Sequence, residues 1–344
     1  MTDPKLEQLL KGAVPFALPL RRSFRSVTVR EGMLIRGPHG WGEFAPFDDY
    51  SNAAAAKWLA SAVEAAFGEW PAPIREFVPV NAIIPATSSD DAAQLAREAI
   101  MESGCSTIKI KVGERDHTLA DDEARVASVR DVMDTVLGRG IGKIRIDANG
   151  GWDVDRAKTA LRRLSAYGLE YVEQPCATPD ELRELRDHTD VAIAVDENLR
   201  RAQDPSALKV REFADIAIIK AAPLGGVAAG LALAQSVGLP VVVSGSLDTS
   251  VGLSSGLALA GALETLDYAC GLGTGALLAA DVTDETLTPI DGVLPVTQIA
   301  PDLPALLAAR DALGDERASW WRGRLAAAWE AGAAQSCGHL VETA

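Results

Sequence analysis

Histidine and cysteine are both scarce, at four of each in 344 residues. His39, His117, His188 and His339 lie far apart, and no two of them have metal-ligand spacing. Cys105, Cys176, Cys270 and Cys337 include no Cys-x-x-Cys pair. Cys337 and His339 are neighbours without a second pair to complete a zinc site. The cysteines therefore read as reduced, mostly buried thiols. Excess positive charge is missing too: 33 Lys and Arg against 48 Asp and Glu leave a net charge of −15. That balance argues against nucleic acid and anionic membranes as partners, and an anionic substrate would need locally placed cations. No apolar run reaches membrane-spanning length, which excludes membrane insertion by an apolar helix. Met1-Thr2-Asp3-Pro4-Lys5 carries no basic-then-apolar signal, so a cytoplasmic protein is expected. With histidine and cysteine set aside, a metal site here would be built from carboxylates, the ligands of a hard cation such as Mg²⁺.

The composition that remains, 48% hydrophobic and 24% charged, is that of a soluble globular protein. Residues 13–47 read as short strands with turns, and residues 51–70 as a helix ended by Pro71-Ala72-Pro73. From Val78 a strand–helix rhythm begins, with candidate strands over 78–85, 107–112, 143–149, 169–174, 191–197, 214–221, 240–245 and 268–273. Thr178-Pro179-Asp180-Glu181 shows a capping box with proline at the first helical position. Eight short apolar strands alternating with helices predict an α/β fold closed into a parallel barrel, with an open doubly wound sheet as the alternative. Expected divisions are an α+β cap over 1–77, the barrel over 78–300 and C-terminal helices over 301–344. In the last of these, Leu303, Leu306, Leu307, Trp320, Trp321, Leu325 and Trp329 would pack against the N-terminal unit.

The chemistry gathers at strand ends. In Thr107-Ile108-Lys109-Ile110-Lys111-Val112 the two lysines share one face of a strand, backed by apolar residues on the other. An isolated Lys-x-Lys strand is ordinarily a solvated edge. If buried, mutual repulsion and desolvation would lower a lysine toward the range of a general base. Asp147, Glu173 and Asp196 each end a strand, at separations of 26 and 23 residues, one strand–helix unit apiece. In a barrel this sets three carboxylates side by side on the C-terminal rim, where they repel unless a cation lies between them. One such acid is usually a cap or a surface charge, whereas three in successive units point to a metal. Lys220 ends the apolar run Ile216 to Ile219 and should enter the rim opposite Lys109 and Lys111. Other motifs fail. The segment starting Asp147-Ala148-Asn149-Gly150-Gly151 has Trp152 and Lys158 where a calcium loop needs glycine and glutamate. Gly271-Leu272-Gly273-Thr274-Gly275 lacks dinucleotide spacing, and Ser244-Gly245-Ser246-Leu247-Asp248 is not a nucleophile elbow.

Lys109-x-Lys111, Asp147-x-Asn149, Glu173-Gln174-Pro175, Asp196-Glu197 and Lys220 with Gly225-Gly226 together resemble the enolase superfamily, muconate-lactonizing subgroup, over nearly the whole chain. Within it, residues 40–46, 244–250 and 271–274 and the short cap are similar to the actinobacterial o-succinylbenzoate synthases. The resemblance implies a modified TIM barrel, (β/α)₇β, capped by an α+β domain. It implies Mg²⁺, replaceable by Mn²⁺, on Asp147, Glu173 and Asp196. It also implies dehydration of 2-succinyl-6-hydroxy-2,4-cyclohexadiene-1-carboxylate to 2-succinylbenzoate in menaquinone synthesis. Lys111 would be the base, Lys109 would help keep it neutral, and Lys220 would face the ring as a cation. Asn149, Ser244, Ser246, Gly273, Thr274 and Arg22 are the expected substrate contacts, with Arg21 and Phe24 near the succinyl tail. A racemase or dipeptide epimerase of the same fold, a Schiff-base aldolase using Lys220, and a non-catalytic metal- or anion-binding protein stand as alternatives. Oligomeric state is open.

Overall fold

The computed structural model describes residues 3–24 and 26–341. Helix α1 (Pro4–Gly12) starts behind Asp3, whose carboxylate accepts from the Lys5 N–H at 3.0 Å. It leads into a three-stranded antiparallel sheet of β1 (Ala13–Phe24), β2 (Val27–Gly37) and β3 (Gly40–Phe44). Helix α2 (Asn52–Phe67), capped by Ser51, covers one face of this sheet. Alternation along β2 decides what each face meets. Met33 and Ile35 join the apolar cluster containing Trp58 and Trp321, whereas Leu34 between them joins the cluster of the barrel side.

The barrel follows as β4 (Phe77–Pro79), β5 (Ala82–Ile84), α3 (Ser89–Met101), β6 (Thr107–Lys111), α4 (Leu119–Val136), β7 (Lys143–Asp147), α5 (Val154–Leu164), β8 (Leu169–Glu173) and α6 (Pro179–Arg186). Next come β9 (Ile193–Val195), α7 (Glu197–Arg200), β10 (Ile216–Ile219), α8 (Ala221–Leu224), α9 (Val227–Val237), β11 (Val241–Val243) and α10 (Ser250–Ala262). Strands β5 to β11 form one parallel sheet in sequence order. Residues 270–271 bridge its two edges. Asn81 N–H donates to the Cys270 carbonyl at 2.9 Å, and Gly271 N–H to the Val243 carbonyl at 2.8 Å. The sheet therefore closes, and the open doubly wound alternative is overturned. The strand expected over 78–85 is divided. Its first part, β4, pairs antiparallel with β12 (Val293–Pro295) in a separate two-stranded sheet, and its second part, β5, pairs with β6. Helices α11 (Leu303–Leu313), α12 (Asp315–Ala328) and, after a π-helical turn at Trp329–Ala333, α13 (Ala334–Cys337) return to the cap. Of the side chains expected to pack there, Trp321, Leu325 and Trp329 are buried in the cap cluster, while Leu306 joins the barrel-side cluster. Leu303, Leu307 and Trp320 are exposed.

Between cap sheet and α2 the backbones touch. A Cβ placed on Gly42 would lie 1.9 Å from the Ala62 carbonyl oxygen, a backbone atom that cannot step aside. Gly323, in α12, has nothing within 4 Å of its missing Cβ. Gly42→Ala is therefore expected to cost about 3 kcal/mol or more through forced separation of β3 from α2. Gly323→Ala should be neutral or stabilising by up to about 1 kcal/mol. Urea unfolding of the two variants beside wild type checks both signs.

Candidate active site at the barrel mouth

Strand register assembles the site. Lys111 pairs with Asp147 across β6 and β7, and Asp147 pairs with Glu173 across β7 and β8. Glu173 in turn pairs with Ala194, so Asp196 stands two residues further along β9's exit. Just past the rim, Asn149 (φ 47°) and Gln174 (φ 39°) take left-handed backbone conformations. Such strain persists only where neighbours over-determine it. Gln174 does part of that holding: its Oε1 accepts the Asp196 N–H at 3.0 Å, tying two acid-bearing rims together.

All three carboxylates and both lysines of β6 are buried. Lys109 Nζ donates to Asp147 Oδ2 at 3.0 Å and to both oxygens of Glu173 at 2.9 and 3.0 Å. Lys111 Nζ donates to the same Asp147 Oδ2 at 2.5 Å and to Asn149 Oδ1 at 2.8 Å, and lies 5.3 Å from the centre of the Phe24 ring. Across the mouth, Lys220 Nζ donates to Asp196 Oδ2 at 2.9 Å. Arg200 holds the other oxygen, Nε to Asp196 Oδ1 at 3.0 Å, and bonds Glu197 and the Tyr50 hydroxyl as well.

These contacts set the charges. Burial disfavours an ammonium at Lys109, but Glu173 and Asp147 outweigh it and hold the group above the ordinary lysine value. The repulsion expected to lower the lysine pair is thus overridden at Lys109, which acts as a fixed cation between two acids. Burial opposes ionisation of Asp147 and Asp196 also. Lys111 and Lys109 nonetheless hold the first well below the carboxylate range, and Arg200 and Lys220 do the same for the second. Glu173 differs. Burial first, then the Asp147 charge, pushes it up to about 7 despite Lys109. Amino-acid cations thus already compensate most of the cluster's charge. Among the described residues, no three acids, histidines or cysteines stand grouped as a ready metal cage.

A cavity of about 510 Å³ opens above this cluster, between barrel and cap. Lys109, Lys111, Asp147, Asn149, Lys220, Ser244, Ser246 and Thr274 line it from the barrel, and Phe24 and residues 26–31 and 46–49 from the cap. Among the described residues, seven cationic side chains face it against four anionic ones, in a chain of net charge −15. Arg22 is not on this wall: it is half-exposed and pairs with Asp91 at 3.4 Å. Gly273 and Arg21 also stay off the lining, and a Cβ on Gly273 would lie 2.6 Å from the Asn81 carbonyl oxygen. Sequence reasoning passed over Arg200 and Tyr50. The one available signal was the i,i+4 spacing of Arg200 from Asp196 on the single-turn helix α7.

Residues 91–316 match the family model described as enolase C-terminal domain-like, and residues 15–66 the one described as enolase N-terminal domain-like. The o-succinylbenzoate synthase of Thermobifida fusca (strain YX) is 51% identical over 318 residues, covering 92% of this chain and 96% of that protein. That of Mycobacterium leprae (strain TN) is 47% identical over 325 residues, 94% of this chain and 92% of that one. Among solved structures, the muconate lactonizing enzyme of Pseudomonas fluorescens superposes with a TM-score of 0.73 at 19% identity, over 86% of this chain and 97% of that one. The L-Ala-D/L-Glu epimerase of Bacillus subtilis does so at 0.69 and 22%, over 85% and 98%. The last two speak for the fold alone. The chain belongs to the enolase superfamily, and within it to the family of o-succinylbenzoate synthases. Neither the racemase nor the Schiff-base alternative is favoured by these relatives.

Because Lys109 neutralises Asp147 and Glu173 together, Lys109→Met leaves both acids without that partner. The expected cost is about 3–5 kcal/mol at neutral pH. Thermal and urea unfolding of the apo protein measures it, and a loss under about 1 kcal/mol would show that the pairing carries no stability.

Proposed function

We propose that this chain removes water from 2-succinyl-6-hydroxy-2,4-cyclohexadiene-1-carboxylate to give 2-succinylbenzoate, a step of menaquinone synthesis in the cytoplasm, with Mg²⁺ as cofactor. The observation that carries the reading is the placement of Lys111 and Lys220. They line one cavity from β6 and from the end of β10, four strands apart around a closed barrel, with the acids on the strands between. The cationic lining suits a substrate with two carboxylates. The 47–51% identity to o-succinylbenzoate synthases supports the same reaction.

The donor set fits a hard divalent cation. Asp147, Glu173 and Asp196 offer oxygen ligands on adjacent strand ends, and burial first, then the Asp147 charge, pushes Glu173 up to about 7, a penalty a divalent cation would relieve. When bound there, Mg²⁺ or Mn²⁺ would stabilise the charge that develops on the substrate carboxylate. The remaining work falls to side chains. Lys111, oriented by Asn149 and Asp147, takes the proton next to the ring carboxylate once it has given up its own. As the ring carbon–oxygen bond breaks, the same ammonium returns that proton to the departing hydroxyl, so water leaves and the ring becomes aromatic. One face of the ring suffices. Lys220, held by Asp196, lies on the other face as a cation over delocalised charge. Ser244, Ser246 and Thr274 meet the carboxylates. Thr274 is buried in the lining with its hydroxyl unpartnered among the described residues, a donor available to an anion.

Aromatisation of the cyclohexadiene, followed by absorbance with and without chelator, tests the reading. EDTA should abolish turnover, and Mg²⁺ or Mn²⁺ restore it. Lys111→Ala should lose about 10²- to 10⁴-fold in kcat. Lys220→Arg keeps the charge but is too weak a base for proton exchange, so it should retain part of the dehydration and none of any racemisation. A wild type that prefers an N-acylamino acid, as kcat/KM on both substrates, would replace dehydration with racemisation as the native reaction.

A further inference from the structure

A second group of buried charges lies where cap meets barrel: Arg30 on β2, Glu43 on β3 and Asp248 in the loop after β11. Arg30 Nε donates to the Leu247 carbonyl at 3.0 Å and Nη2 to the Ala45 carbonyl, with the guanidinium 4.5 Å over the Phe47 ring. Glu43 Oε2 accepts from the Thr249 N–H at 3.0 Å and from its hydroxyl at 2.6 Å. Glu43 Oε1, 4.0 Å from Arg30, has no hydrogen-bond partner among the described residues. Asp248 Oδ2 accepts from the Ser246 N–H at 2.7 Å. Leu247, between these anchors, is held at φ 62°, a conformation a leucine adopts only under constraint. A Cβ on Gly252 would lie 2.6 Å from Glu43 Oε2 and 2.9 Å from Asp248 Cβ, so the two acids pack against one point with no room for a side chain. The loop fixed in this way is the one that brings Ser244 and Ser246 to the cavity.

We propose that Arg30 and Glu43 are positioning residues for the dehydration: seating the cap locks residues 244–249 into the backbone arrangement that receives the substrate. The identity of the ligand, and nothing else, rests on the function proposed above. Two carboxyls beside one guanidinium carry one negative charge too many if both ionise. Burial first, then Asp248, pushes Glu43 up to about 8, and burial raises Asp248 as well. Asp48 and Glu31 also face Arg30, and Lys220 faces Asp248. At neutral pH Glu43 is thus the neutral acid of the group. Its folded value lies above the ordinary 4.5, so its contribution is complete below about pH 4.5 and is lost as the pH rises through about 8.

The experiment is calorimetric titration with 2-succinylbenzoate in the presence of Mg²⁺, together with steady-state kinetics, for wild type, Glu43→Gln, Arg30→Met, Ser246→Ala and Arg30→Met/Ser246→Ala. From about pH 7 to about pH 9 wild-type affinity should fall about fivefold, and that of Glu43→Gln, which copies the neutral acid, should not. Arg30→Met should raise KM about tenfold with kcat within about threefold, and Ser246→Ala should add little to it. An alkaline fall retained in Glu43→Gln, a loss confined to kcat, or fully multiplicative effects in the double variant would each overturn the proposal. Should Arg30→Met fail to fold, the Glu43→Gln comparison decides alone. A wild type that neither binds the product nor aromatises the cyclohexadiene would overturn the functional reading instead. The slope of the melting temperature between about pH 5 and about pH 8, wild type against Glu43→Gln, then decides whether Glu43 is the neutral acid, and equal slopes overturn it.

Discussion

Three carboxylates buried on neighbouring strand ends must be neutralised, and most of the barrel mouth follows from that demand. A buried ion pair yields little net stability, yet one partner left alone is expensive. The three acids accordingly share four cations from three elements: Lys109 and Lys111 from β6, Lys220 from the end of β10, Arg200 from α7. The compensation works only if β6 lies beside β7, with β8 next beyond it, while β10 lies beside β9. The strand order is therefore written into the charges as well as into the apolar rows of Ile108, Ile110, Ile144, Ile146, Val172 and Val195 that back them. The mouth stays polar and the wall behind it dry, and each condition supports the other.

Much of this was legible before any coordinates. Strand ends recur at fixed intervals, and an acid or lysine closing an apolar run has few places to go except the rim. That is why Asp147, Glu173, Asp196, Lys111 and Lys220 were found together from spacing alone. What stayed hidden depends on contacts that spacing does not encode. Arg30 and Glu43 meet Leu247 and Thr249 more than 200 residues later in the chain. Arg22 reads as a cavity cation by position, yet β1 directs it to Asp91 in the first turn of α3. Lys109 illustrates a subtler failure. Two residues of spacing reveal a neighbouring like charge, whereas the two acids that reverse its effect come from separate strands.

The division of labour between barrel and cap follows from the same physics. Two lysines facing each other over a carboxylate cluster can serve elimination on one face or proton exchange on two, so the barrel's charges do not by themselves choose the reaction. Choice must come from the wall that fixes how the substrate's second carboxylate and ring lie against those lysines. That wall is composite: residues 26–31 and 46–49 of the cap on one side, the loop of Ser244 and Ser246 on the other. Arg30 and Glu43 reach from the first to the second, and Arg200 reaches from the acid cluster to Tyr50 of the cap. Selectivity and chemistry are thereby mechanically joined at two points. A substitution in the cap that never touches the substrate can change which face of it the lysines see.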